Sequence, residues 1–140
     1  MDYRRFNNTI IARIDRGEEV HEKLEEIATK ENIKLASIYG LGATDKFRIG
    51  SFKVSNKDYT EYDFEGDYEI LSIIGSISTK DGEYYPHLHI SCGDDKGKVF
   101  GGHLKKARIS VTCELTINVI DGRVERQIDE ETGINIYKFD

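Results

Sequence analysis

The sequence predicts an α+β domain, a mainly antiparallel β-sheet with one main α-helix, in a single domain over residues 1–140. Three observations carry that expectation. One stretch, Glu18 to Glu31, spaces its apolar residues as a helix does. Most of the remaining chain falls into β-type runs separated by Gly and Asp clusters. One such run, Val111 to Val119, alternates apolar and polar residues, the pattern of a strand with one buried face.

In chain order, Phe6 to Ile14 reads as a first strand, broken by Asp15-Arg16-Gly17. The helix follows, with Val20, Leu24, Ile27 and Ala28 on one stripe and acidic residues in its first turn, where they suit the helix dipole. His21 lies off that stripe and reads as a solvated residue. The strands expected next are Leu35–Tyr39, Phe47–Val54, Tyr59–Phe64, Tyr68–Ser78, His87–Cys92, Lys98–Gly102, Ile109–Val119 and Ile134–Phe139. The run EILSIIGSI is apolar at positions of both parities, so it belongs to a central strand or to one covered by a partner subunit.

Composition narrows the function classes. A chain of 140 residues can bury one core of ordinary size. No apolar run approaches the ~18 residues of a membrane span. The stretch MDYRRFNNTIIARI lacks the continuous apolar segment of a secretory signal, so the expected location is the cytoplasm. Twenty basic and 26 acidic residues give a net charge of −6, which argues against strong nonspecific binding to nucleic acid. Cys92 and Cys113 form no CxxC and are expected to be buried thiols, with a bridge between them depending on their distance.

Three of the four histidines fall in HLHISCGDDKGKVFGGHL, His87 to Leu104. In a strand, His87 and His89 share one face, while Leu88, Ile90 and Cys92 face the core. GDDKG is a plausible hairpin loop. If Cys92 pairs with Lys98, His87 lies opposite His103 and His89 opposite Gly101, gathering three imidazoles on one face with Gly101 and Gly102 leaving space. Three neutral imidazoles suit Zn²⁺ or a similar divalent transition metal, with one position open for water or a small ligand. Against this stands the plainer reading of a solvated histidine cluster. Glu114, on the polar face of its strand, is a candidate general base, fourth ligand or partner to a histidine, or simply a solvated residue. Tyr84-Tyr85 is placed to wall one side of the histidine face. Tyr39 to Thr44 starts like a dinucleotide loop but lacks the third glycine and a following helix, so it reads as a tight turn with close packing. Asp94-Asp95 lacks the ligand spacing of a calcium loop and reads as the hairpin turn.

Taken together, GLGAT at 40–44, GDYEILSIIGSIS at 66–78, the histidine stretch at 87–104 and CELTI at 113–117 resemble the PPC (plants-and-prokaryotes-conserved) domain. The resemblance implies an α+β fold, a homotrimer and, for stand-alone prokaryotic members, a DNA-binding label. Some prokaryotic members look like metal binders through histidines equivalent to His87, His89 and His103. Three functions follow as expectations: a trimeric regulatory or ligand-sensing module with a three-histidine zinc site, a DNA-binding regulator, or a small zinc hydrolase with Glu114 handling protons.

Overall fold

The computed structural model describes residues 1–140. The chain runs β1 (Asp2–Phe6), β2 (Thr9–Asp15), α1 (Val20–Lys30), β3 (Ala36–Lys53), β4 (Asp58–Lys80), β5 (Glu83–Gly93), β6 (Val99–Val119), β7 (Glu125–Ile128) and β8 (Asn135–Lys138). All pairings between these strands are antiparallel, in one six-stranded sheet ordered β1-β2-β6-β3-β4-β5 and a separate β7-β8 ribbon. The start of β6 also pairs with β5, so β3, β4, β5 and β6 close a circuit. The α+β expectation with one main helix therefore holds.

The strands are fewer and longer than the sequence suggests. Leu35–Tyr39 and Phe47–Val54 are two ends of one strand, β3, which continues through GLGAT with register shifts between Gly40 and Gly42 and between Thr44 and Lys46. That segment is not a turn. Its glycines serve close approach: a Cβ on Gly42 would stand 2.7 Å from the Cα of Cys113 on β6 and would run into the Thr112 carbonyl oxygen. Buried Thr44 repairs the second irregularity, its hydroxyl donating to the Arg108 carbonyl at 2.6 Å. Likewise Tyr59–Phe64 and Tyr68–Ser78 merge into β4, and Lys98–Gly102 and Ile109–Val119 into β6. The expected first strand instead turns at Asn7, whose φ of 54° asparagine tolerates, giving the β1–β2 hairpin.

One stripe of α1 (Val20, Leu24, Ile27, Ala28) joins the buried core with Ile10, Ile14, Ile38, Ile73, Leu104 and Leu115. Glu19 caps the helix, accepting from the Glu22 amide at 2.9 Å, while its other oxygen accepts from the Ala107 amide of β6 at 3.0 Å. His21 departs from the solvated reading. It is half-buried, and its Nε2–H donates to the Leu104 carbonyl at 2.9 Å, tying α1 to the strand that carries His103. Val111 departs from its expected face: it is 68% exposed, because residues 110–112 of β6 have no partner on β3.

Candidate functional site

Strand parity builds the site. On β5, Leu88, Ile90 and Cys92 are buried at 0–3% exposure, which turns His87 and His89 to the opposite face. His103 of β6 joins them across the hairpin. The pairing differs from the expected one: His89, not His87, lies opposite His103, and Gly101 lies opposite Ser91. The hairpin loop explains the shift. Asp94 and Lys98 face each other, with the Asp94 amide donating to the Lys98 carbonyl at 2.9 Å. The Asp94 carboxylate accepts from the amides of Lys96 (2.9 Å) and Lys98 (2.8 Å). Closing the loop one residue later at each end moves the register by two, and an even shift leaves every side chain on its face.

The result is a compact triad. Ring centroids lie 5.1 Å apart for His87 and His89, 5.4 Å for His87 and His103, and 5.8 Å for His89 and His103. One ring nitrogen from each falls within 4.8 Å of the others. A tetrahedral zinc site with Zn–N bonds of ~2.1 Å needs nitrogens about 3.4 Å apart, so the three have at most about 1.4 Å to close from 4.8 Å. The donor set therefore fits such an ion. It fits chemically too, because imidazole binds metal in its neutral form. Burial, reinforced by His87 and His89, pushes His103 down to about 4. Burial first, then the Arg126 guanidinium, lowers His87.

The triad opens into a cavity of about 670 Å³. Gly50 and Gly102, which face each other closely where β3 meets β6, form its floor; a Cβ on Gly102 would meet the Gly50 carbonyl at 2.7 Å. Phe52, Tyr59 and Tyr85 give aromatic walls, as anticipated for Tyr85, whereas Tyr84 packs against the core. Lys105 of β6 and Arg126 of β7 supply two cations, and no Asp or Glu lines the space. Neither cation was visible as a site residue in the sequence: Arg126 sits in a charge-dense segment where nothing distinguishes it from a solvated arginine.

The structure does not bring Glu114 to the histidines. It lies exposed on the far part of β6, opposite Leu41 and Arg13, and borders a different depression with Tyr3 and Ile11. Cys92 and Cys113 are free, buried thiols, each pushed up to about 12 by burial.

A family profile described as the Plants and Prokaryotes Conserved (PCC) domain matches residues 1–121. Among solved structures, a candidate DNA-binding protein from Bacteroides thetaiotaomicron superposes with a TM-score of 0.95 at 28% identity, covering 99% of this chain and 96% of that one. A metal-containing protein from Archaeoglobus fulgidus superposes with a TM-score of 0.88 at 30% identity, covering 99% of each chain. The bifunctional protein GlmU of Synechococcus is 29% identical over 120 residues, or 84% of this chain. The chain spans only 18% of the length of that curated relative.

Proposed function

Because the chain belongs to the Plants and Prokaryotes Conserved (PCC) domain family, we propose that it is a metal-binding member of it, a homotrimeric regulatory or ligand-sensing module holding Zn²⁺ on His87, His89 and His103. One observation carries the reading: three imidazole nitrogens from two strands lie within 4.8 Å of one another, beside a cavity with room for a small ligand. The A. fulgidus relative, named as metal-containing, supports it. A bound ion would supply a Lewis-acidic open position. Burial would favour neutral His87 and His103, while aromatic rings wall the cavity and orient whatever enters. The measurement is metal per chain after growth with zinc; a protein free of metal would end this reading.

The sheet face that carries the histidines also bears exposed Tyr39, Leu41 and Ile74, which supports the trimer. We place the protein in the cytoplasm as part of the same reading; no helix is long and apolar enough to cross a membrane. DNA binding is the second reading, favoured by the name of the B. thetaiotaomicron protein. A salt-dependent titration with duplex DNA tests it. The hydrolase reading gains no support, since Glu114 stands outside the histidine cavity.

A further inference from the structure

Arg126 is the most unusual charge in the molecule. Only 7% of it is exposed, yet no carboxylate lies within ion-pair distance. Burying an unpaired guanidinium is costly, and buried charges are ordinarily paired. The arginines that do form ion pairs, Arg5, Arg13, Arg48, Arg108 and Arg123, all sit at the surface. In a chain with 26 acidic residues, a buried arginine without an acid calls for a reason.

The surroundings hold Arg126 in place without neutralising it. Its Nε donates to the Ser78 hydroxyl at 2.8 Å and its Nη1 to the Asn135 carbonyl at 3.1 Å. Its planar head lies over the rings of Tyr85 (4.7 Å) and Tyr137 (4.4 Å). Nη2 has no partner, and the residue lines the histidine cavity. The β7–β8 ribbon that carries it is pinned to the sheet: Tyr137 donates to Ser76 at 2.8 Å, and the Glu125 carboxylate accepts from Thr79 and from the Gly82 amide. Ribbon and arginine both lie beyond residues 1–121, the part matched by the family profile.

We infer that the cavity binds a small organic carboxylate, its anionic group held by Arg126 and its body lying against Phe52, Tyr59 and Ile134. The inference rests on the proposed metal site for the second anchor. With neutral imidazoles, a divalent ion there adds two positive charges beside Arg126; no Asp or Glu lines the cavity, although Glu61 lies 3.8 Å from the Lys105 ammonium. A guanidinium fits a carboxylate through directional N–H donors, which a point charge does not supply. Aromatic walls select an organic anion over a bare inorganic one. A 2-hydroxycarboxylate suits the pair of anchors, since its carboxylate and hydroxyl can serve arginine and metal together.

Calorimetric titration of the full-length protein with mandelate tests this, with mandelamide and inorganic phosphate as comparison ligands and zinc content measured on each sample. Wild type loaded with zinc should bind mandelate, and bind mandelamide and phosphate at least tenfold more weakly. Arg126→Gln should lose at least tenfold in mandelate affinity while keeping its zinc. Equal affinity in Arg126→Gln, no mandelate binding by zinc-loaded wild type, or phosphate or mandelamide binding as tightly as mandelate would overturn the inference. Should Arg126→Gln fail to fold, Arg126→Lys decides, because it keeps the charge and loses the directional N–H donors: a several-fold loss of mandelate affinity supports the anion site, and unchanged affinity overturns it. Absence of zinc from wild type sinks the metal reading separately; the arginine is then judged by the same comparison on metal-free protein.

Discussion

Burial lowers the proton affinity of His87 and His103, and part of the site's chemistry follows from it. If His87, His89 and His103 share one ion, two remaining imidazoles are too few to retain Zn²⁺ against a chelator. His87→Ala, His89→Ala and His103→Ala should each lose most of the metal, although His103 comes from a different strand. His21→Ala should keep its zinc but lose stability, by about 1 kcal/mol for the lost bond to the Leu104 carbonyl. Metal analysis and urea midpoints on the four variants check both halves; full metal in His103→Ala would contradict the shared site. The pH response has a definite sign. Folded His103 protonates only near about 4, whereas an unfolded chain takes up that proton near ~6.5. Between those values the unfolded state binds more protons, so metal-free protein should lose thermal stability as pH falls from ~6.5 toward 4. His103→Gln should flatten that slope, and a slope unchanged by the substitution would contradict the assignment. The three histidines were legible because strand parity puts i and i+2 on one face. Arg126 was not, because its role comes from burial against β4 and β5, which no local pattern records.

At the scale of elements, glycine is where sequence reasoning and structure part. Glycines and aspartates do end strands at Asp81-Gly82 and around Gly97, where the backbone is left-handed. At Gly40, Gly42 and Gly75 the same residue type marks the middle of a strand, where a neighbouring backbone passes too close for a Cβ. Local composition cannot separate the two uses, so β3 reads as two strands around Gly40–Gly42 and β4 as two around Gly66; β6 reads as two because HLKKAR, residues 103–108, breaks the apolar alternation. The hairpin register was wrong by two for a related reason: loop closure by the Asp94 carboxylate is a matter of hydrogen bonding that spacing alone leaves open. The parity survived because the apolar alternation of Leu88, Ile90 and Cys92 fixes it. Gly42→Ala tests the close-packing account. With the added methyl against β6 backbone, and no flexible side chain able to yield, it should destabilise by about 1–3 kcal/mol, as overpacking does. Gly97→Ala, with open space around it but a φ of 79°, should cost about 1 kcal/mol through backbone strain alone. Urea denaturation ranks the pair, and a reversed order would contradict the close-approach reading of β3.

Over the whole molecule, charge and apolar surface point to different partners. A net charge of −6 opposes a polyanion, so duplex binding at physiological salt should be weaker than micromolar; submicromolar affinity would promote the DNA reading over the metal one. The apolar surface suits a second copy of the chain better. Opposed pairs share a face, and the register Ile11–Thr116–Tyr39–Ile74–His89 draws one row across β2, β6, β3, β4 and β5. Within that row Ile11 is 47%, Tyr39 55% and Ile74 56% exposed, with Leu41 at 54% beside it. Side chains of this kind on the middle of a sheet, rather than at loop tips, mark a contact surface. Sedimentation should therefore give three times the 16.0 kDa chain mass. Ile74→Glu should shift it toward one, since three carboxylates would otherwise be buried without partners. Zinc content should survive in that variant, because all three proposed ligands come from a single chain. A wild type that sediments as one chain at micromolar concentration would remove the trimer. A trimer unchanged by Ile74→Glu would move its interface off this face.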